Sequence, residues 1–166
     1  DEWAHGSNNC GLHAGEAGIG LFYLRLAQWL QEPGYINIAK LRAKRLIGAP
    51  YQTYDLVDGS AGLLLFLSEL ASMTNEAWIL GWAESVAMIL INDMQETKQG
   101  IVYWNIPNIF PSMPSNRYLG LLHGSAGIGL ALLTFGKIHK QNHCIEAAIK
   151  VGESLIKQAI VNSDSA

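Results

Sequence analysis

Apolar and polar positions along the chain alternate in long blocks, and the alternation has the length of helices. Ala17 to Gln31 is mostly apolar and stops before Glu32-Pro33-Gly34, where proline and glycine end a helix. From Asn37 to Ile47, apolar Ile38, Leu41 and Leu46 interleave with Lys40, Arg42, Lys44 and Arg45, as in a helix with one solvated face. Gly48-Ala49-Pro50 closes that segment. A second unit follows the same plan. Ser60 to Ser72 carries almost no charge and reads as an interior helix, and Asn75 to Met94 reads as its partner, with Trp78, Trp82, Val86, Ile89 and Leu90 as the buried stripe. A third unit pairs an apolar helix over Ser125 to Ile138 with an amphipathic one over Cys144 to Val161. In that last helix Ile145, Ala148, Ile149, Gly152, Leu155, Ile156, Ala159 and Ile160 keep helical spacing. Between the second and third units, Gln95 to Leu119 is rich in Pro, Asn and Ser, with Gly100 to Trp104 as its one strand-like run. It is expected to be a long loop or small β-hairpin at the mouth of the assembly.

Each apolar helix is preceded by a variant of one phrase. The clearest is Gly120-Leu121-Leu122-His123-Gly124-Ser125-Ala126-Gly127-Ile128-Gly129, with weaker copies at Gly11 to Gly20 and Leu56 to Leu64. Every copy holds two glycines three apart and runs straight into a helix. A repeat of this kind decides the architecture: three helix hairpins, with apolar inner and amphipathic outer members. Glycine permits a sharp turn or a close approach. The helix starts it leads into would offer free N–H groups and the positive end of the helix dipole to an anionic group. If the three starts converge, Asp55, Asp58 and His123 gather in one place.

Tyr54-Asp55-Leu56-Val57-Asp58-Gly59-Ser60-Ala61-Gly62-Leu63, taken with Leu119-Gly120-Leu121-Leu122-His123-Gly124, resembles the first repeats of the lanthionine synthetase C-like family. The resemblance covers most of the chain and implies an all-α fold, a partial α/α toroid made of three hairpins of a six- or seven-hairpin barrel. Its repeats fall at residues 1–50, 51–95 and 118–161, with the insertion at 95–119. The chain then corresponds to the N-terminal half of such a domain. The family's cyclases add cysteine thiols of a precursor peptide to dehydroalanine or dehydrobutyrine, with zinc activating the thiolate. The resemblance places His123 in the central cavity as a proton-transfer group, suited to it by a pKa near neutrality. It places Asp55 beside it, to orient the imidazole or to handle the nucleophile's proton. Asp58 is expected to cap the following helix. The implied zinc ligands, two cysteines and a histidine of later repeats, have no counterpart in this sequence. The chain alone is therefore expected to be inactive, because an unactivated thiol is mostly protonated at neutral pH. Tyr118 departs from the polar residue expected two before the glycine.

Composition narrows the alternatives. The 166 residues are 49% hydrophobic and 15% charged, with a net charge of −3. A mean hydropathy of +0.15 is apolar for a chain of this size, and a half ring would expose the edges of its inner helices, so either self-association or reliance on the missing half is expected. No basic cluster larger than Lys40 to Arg45 supports nucleic-acid binding. No uncharged apolar run reaches the roughly 20 residues of a membrane span. Two cysteines make no disulfide framework, which favours a reducing cytoplasm, and the start at Asp1 suggests a piece of a longer chain. Cys10 with His13, and His139 with His143 and Cys144, are too few for a zinc site, and the second group reads as a solvated turn. Two other functions fit the same residues. One is a non-catalytic peptide- or protein-binding module of the family. The other is an α/α toroid carbohydrate enzyme, in which Asp55 with Glu16 or Asp58 would form the paired carboxylates.

Overall fold

A computed structural model describes residues 9–13, 15–51, 53–105 and 117–159. Six helices carry the fold: α1 (Glu16–Leu30), α2 (Gly34–Arg45), α3 (Ser60–Thr74), α4 (Ala77–Asn92), α5 (Ser125–His139) and α6 (Asn142–Gln158). They pack as successive hairpins, α1 on α2, α3 on α4 and α5 on α6. The inner members α1, α3 and α5 lie side by side with α3 in the middle. This is an all-α, partial toroid-like arrangement.

The three inner helices are each 15 residues long and end alike, with Gln31, Asn75 and Lys140 in the left-handed region. Each of these cap residues returns its N–H to the carbonyl four residues back, and the chain reverses within two or three residues. Pro33 then opens α2 as well as ending the preceding turn, because its fixed φ of −65° already suits a helix start.

The core centres on α3, whose Leu63, Leu64, Phe66, Leu67 and Leu70 are fully buried. Each such side chain contributes on the order of 1.5–3 kcal/mol by leaving water. Gly20 of α1 faces the Phe66 ring, and a Cβ there would overlap it. Along the inner helices, Leu21, Arg25, Leu65, Glu69 and Thr134 line a groove of about 410 Å³, crossed by the Arg25–Glu69 ion pair.

Two outer helices depart from the expected faces. In α6 the buried positions are Cys144, Ala147, Val151 and Ser154, about 100° round from the expected stripe, and Ile149 and Ile156 face outward. Contacts made by small groups decide this orientation. Val151 sits against Gly129, and the Ser154 hydroxyl accepts the Val102 N–H at 2.8 Å. In α4 the buried row is Ile79, Ala83, Val86, Ala87 and Leu90. Trp78 is exposed, donating its indole N–H to Glu76 and stacking on Trp82.

The insertion forms a two-stranded antiparallel hairpin, β1 (Gln95–Glu96) with β2 (Val102–Tyr103). Val102 bonds α6 and, through its carbonyl, Ser125 at the start of α5. The Trp104 indole donates to Leu90 O of α4. The hairpin and the residue after it therefore tie α4, α6 and the start of α5 together. The rest of the insertion, 106–116, lies outside the described residues, as do Asp1 to Asn8 of the lead-in loop and Ile160 of the expected α6 stripe. Among the described residues no helix is long and apolar enough to cross a membrane.

Candidate functional site

The three glycine phrases meet. Leu12 and His13 donate their N–H groups to Leu56 O and Val57 O, and Leu56 donates to Leu122 O, all at 3.1 Å. The second phrase is thus held between the first and third. Within each phrase the chain folds back on its own helix start. The N–H groups of Glu16, Ser60 and Ser125 donate to the carbonyls of Asn9, Thr53 and Tyr118, each seven residues upstream and each at 3.0 Å. Ala61 and Ala126 add bonds of the same spacing to Tyr54 and Leu119. The expectation that these helix starts present free donors to an anionic group is therefore corrected: loop carbonyls already occupy them.

This closure is why the phrases need glycine. A Cβ on Gly59 would lie 2.5 Å from Asp55 N and 2.6 Å from Thr53 O, and Gly124 and Gly15 are crowded by the equivalent backbone. All three have extended backbones that any residue can adopt, so space and not dihedral preference makes the demand.

The convergence brings Asp55 and His123 together across 68 residues of sequence, with His123 Nδ1 at 2.8 Å from Asp55 Oδ2. The Asp55 side chain is 2% exposed and the His123 side chain 30% exposed. The other carboxylate oxygen, Oδ1, accepts the Asp58 N–H at 2.9 Å. A carboxylate accepts only, so the neutral imidazole carries its proton on Nδ1 and its Nε2 lone pair is left for another partner. The Tyr118 ring lies tilted 6.5 Å from the imidazole, and Leu119, Leu121 and Leu122 are exposed on the same turn.

Asp58 does not cap α3. Gly59 is the N-cap, no side chain bonds there, and the Asp58 carboxylate instead accepts the Asn9 amide at 2.7 Å. Asn9 is a residue that sequence reasoning missed, since an asparagine in a polar lead-in loop carries no distinguishing pattern. Glu16 is buried and bonded to Arg42 and Arg45 of α2 at 3.1 Å each. Glu16 is thus engaged by those guanidiniums, and Asp58 shares a turn with Asp55.

The cysteines are free and buried. Burial, with Asp58 and Asp55 nearby, pushes the Cys10 thiol up to about 11, and its Sγ lies 3.6 Å from Asp58 O. Burial, aided by Glu84, pushes Cys144 up to about 11 as well. His139 is not in a solvated turn: it ends α5, and its Nε2 meets Ser68 O at 2.9 Å. His143 lies in the first turn of α6, and His13 is exposed. Among the described residues no three His, Cys, Asp or Glu side chains gather to hold a metal ion.

A family model described as lanthionine synthetase C-like protein matches residues 42–165. No curated protein matches the chain at a significant level.

Proposed function

Because the chain belongs to the lanthionine synthetase C-like family, we propose that Asp55 and His123 are the acid/base pair of a cyclase that adds cysteine thiols of a precursor peptide to dehydroalanine or dehydrobutyrine. What supports this reading is the 2.8 Å contact between a buried carboxylate and a partly exposed imidazole. Asp55 has both oxygens engaged, so it fixes the ring and its tautomer while His123 exchanges the proton. The thiol proton passes to Nε2 as sulfur bonds to the β-carbon of the dehydro residue. The double-bond electron pair moves into an enolate, and the imidazolium returns the proton to the α-carbon. A thioether forms with no oxidant or reductant.

In the family a bound zinc ion supplies thiol activation. The donors described here do not fit one. Both thiols are buried and held protonated, and His139 is committed to Ser68. On this reading the zinc ligands are residues other than these.

The test is thioether formation on a peptide carrying one cysteine and one dehydroalanine, read as loss of alkylatable thiol, in the intact protein that carries this segment. His123→Asn is expected to slow it about 10²–10⁴-fold. An unchanged rate would overturn the reading. The exposed Leu119, Leu121 and Leu122 favour a second reading, a module that holds a peptide without chemistry. In that case the peptide binds equally well to His123→Asn, and no thioether forms with either protein.

A further inference from the structure

The route by which the first phrase reaches the Asp55–His123 pair is a continuous set of polar contacts. Asn9 Nδ2 donates to Asp58 Oδ1 at 2.7 Å, and Asp58 N donates to Asp55 Oδ1 at 2.9 Å. Asp55 Oδ2 then meets His123 Nδ1 at 2.8 Å. Asn9 is itself pinned. Its Oδ1 accepts the Gly11 N–H at 2.9 Å, and its carbonyl accepts Glu16 N at the start of α1. Cys10 adds a thiol contact to the Asp58 carbonyl, so two neighbouring residues of the first phrase grip Asp58 by its side chain and its backbone.

We propose that Asn9 and Asp58 are positioning residues for the Asp55–His123 pair. The proposal rests on the reading of that pair as the acid/base group and extends it to the first repeat, where no described residue bonds the imidazole. The chemistry follows from the carboxylate's two oxygens. With Oδ1 tied to the Asp58 N–H, the Asp55 side chain cannot rotate about its terminal bond without losing that contact, and Oδ2 stays aimed at Nδ1. The Asp58 peptide unit keeps its place because its side chain is anchored on Asn9. Without the anchor, the turn between Asp55 and Gly59 gains freedom, and the ring loses the contact that selects its Nδ1–H form. The bonding shared by the three helix starts holds the backbone on either side of this turn, so the anchor acts on the turn alone.

The test reads the imidazole of this chain directly and needs no turnover. The ring ¹⁵N shifts of His123 are measured at a pH where it is neutral, in the unaltered chain and in Asn9→Ala, Asp58→Ala, Asp58→Asn and Asp55→Ala. Asp58→Asn and Asp58→Ala remove the same charge, but only the asparagine retains an oxygen for the Asn9 amide, so their difference reports position and not field. Asn9→Ala changes no charge at all. The ratio of the Nδ1–H to the Nε2–H form is expected to fall about threefold or more in Asn9→Ala and Asp58→Ala, a part of what a charge-assisted hydrogen bond is worth. It stays near the original value in Asp58→Asn and collapses in Asp55→Ala. Hydrogen exchange at the Asp58 N–H rises in the same two variants that lower the ratio. Far-UV circular dichroism establishes that each variant is folded; if Asp58→Ala is not, Asn9→Ala against Asp58→Asn carries the comparison. An unchanged ratio in Asn9→Ala, together with collapse in Asp55→Ala, overturns the positioning role while leaving the pair intact. An unchanged ratio in Asp55→Ala overturns the pair itself.

Discussion

His123 Nδ1 and Asp55 Oδ2 lie 2.8 Å apart, and the same carboxylate takes the Asp58 N–H on its other oxygen. Nothing in that arrangement lets Asp55 reach a peptide directly, since its side chain is 2% exposed. Its replacement by asparagine keeps the shape but offers Nδ1 an amide that can donate, and the ring can then reverse its tautomer. Asp55→Asn is expected to lower thioether formation by about 10³–10⁴-fold with little change in peptide binding, by the same logic as the orienting carboxylate of a hydrolase triad. Rate and binding measured on one preparation check this.

The two cysteines should behave as buried thiols. With both pushed from 9.0 up to about 11, only about one in a thousand is thiolate at pH 8. Iodoacetamide is expected to leave Cys10 and Cys144 unmodified in the folded chain and to label both after denaturation, as mass spectrometry would show. The sign of the linked stability follows. The folded state keeps these protons where the unfolded state loses them, so the contribution is full below about pH 9 and is lost as pH rises towards about 11. Denaturant midpoints taken across that window should fall, and should fall less in Cys10→Ser.

Glycine substitutions should separate by position. Gly59→Ala forces a Cβ onto the Thr53 and Asp55 backbone, which is expected to cost about 2–4 kcal/mol and to disturb the site. Gly81→Ala in α4 and Gly152→Ala in α6 meet nothing within 4 Å, so each should gain about 0.5–1 kcal/mol from helix propensity. Chemical denaturation of the three variants settles the order.

The ends of the inner helices give a further stability test. Gln31 and Lys140 sit at φ 55° and 57°, where a side chain is strained and glycine is not. Gln31→Gly and Lys140→Gly are each expected to raise stability by about 0.5–1 kcal/mol, while Asn75→Gly, replacing a residue that tolerates this region, should change little. A loss at Gln31 or Lys140 would mean that those helix ends are built differently.

The helical hairpins and the glycine phrases were legible in the sequence because both are local and repeated. Apolar blocks mark α1, α3 and α5, each 15 residues long in the structure. The gathering of Asp55 with His123 could be read from the repeat, since equivalent phrases on neighbouring inner helices must lie side by side. What could not be read are features set by single partners across the fold. The orientation of α6 depends on Gly129 admitting Val151 and on one Ser154 hydroxyl, and periodicity weighs neither. Trp78 looked like core because it is large and apolar, yet Glu76 two residues earlier holds its indole at the surface. Glu16 occupies the place of Ser60 and Ser125 in the repeat, and only the docking of α2 supplies the arginines that make its burial tolerable. The Asn9–Asp58 contact spans 49 residues and leaves no spacing to detect.

Apolar side chains remain exposed on both edge helices of the inner row, Ile19 and Phe22 on α1 and Leu130 and Leu133 on α5. Surface of this kind favours association. Sedimentation velocity of the isolated chain is expected to show mass rising with concentration, and a single monomeric boundary at high concentration would count against it.

On the proposed reading Asp55 holds the Nδ1 proton of His123 and so leaves Nε2 for the peptide. A long-range ¹H–¹⁵N correlation spectrum of the neutral His123 ring tests it most directly. A protonated Nδ1 and a bare Nε2 are expected, with that pattern lost in Asp55→Ala; a ring protonated on Nε2 in the unaltered chain would overturn the role given to Asp55.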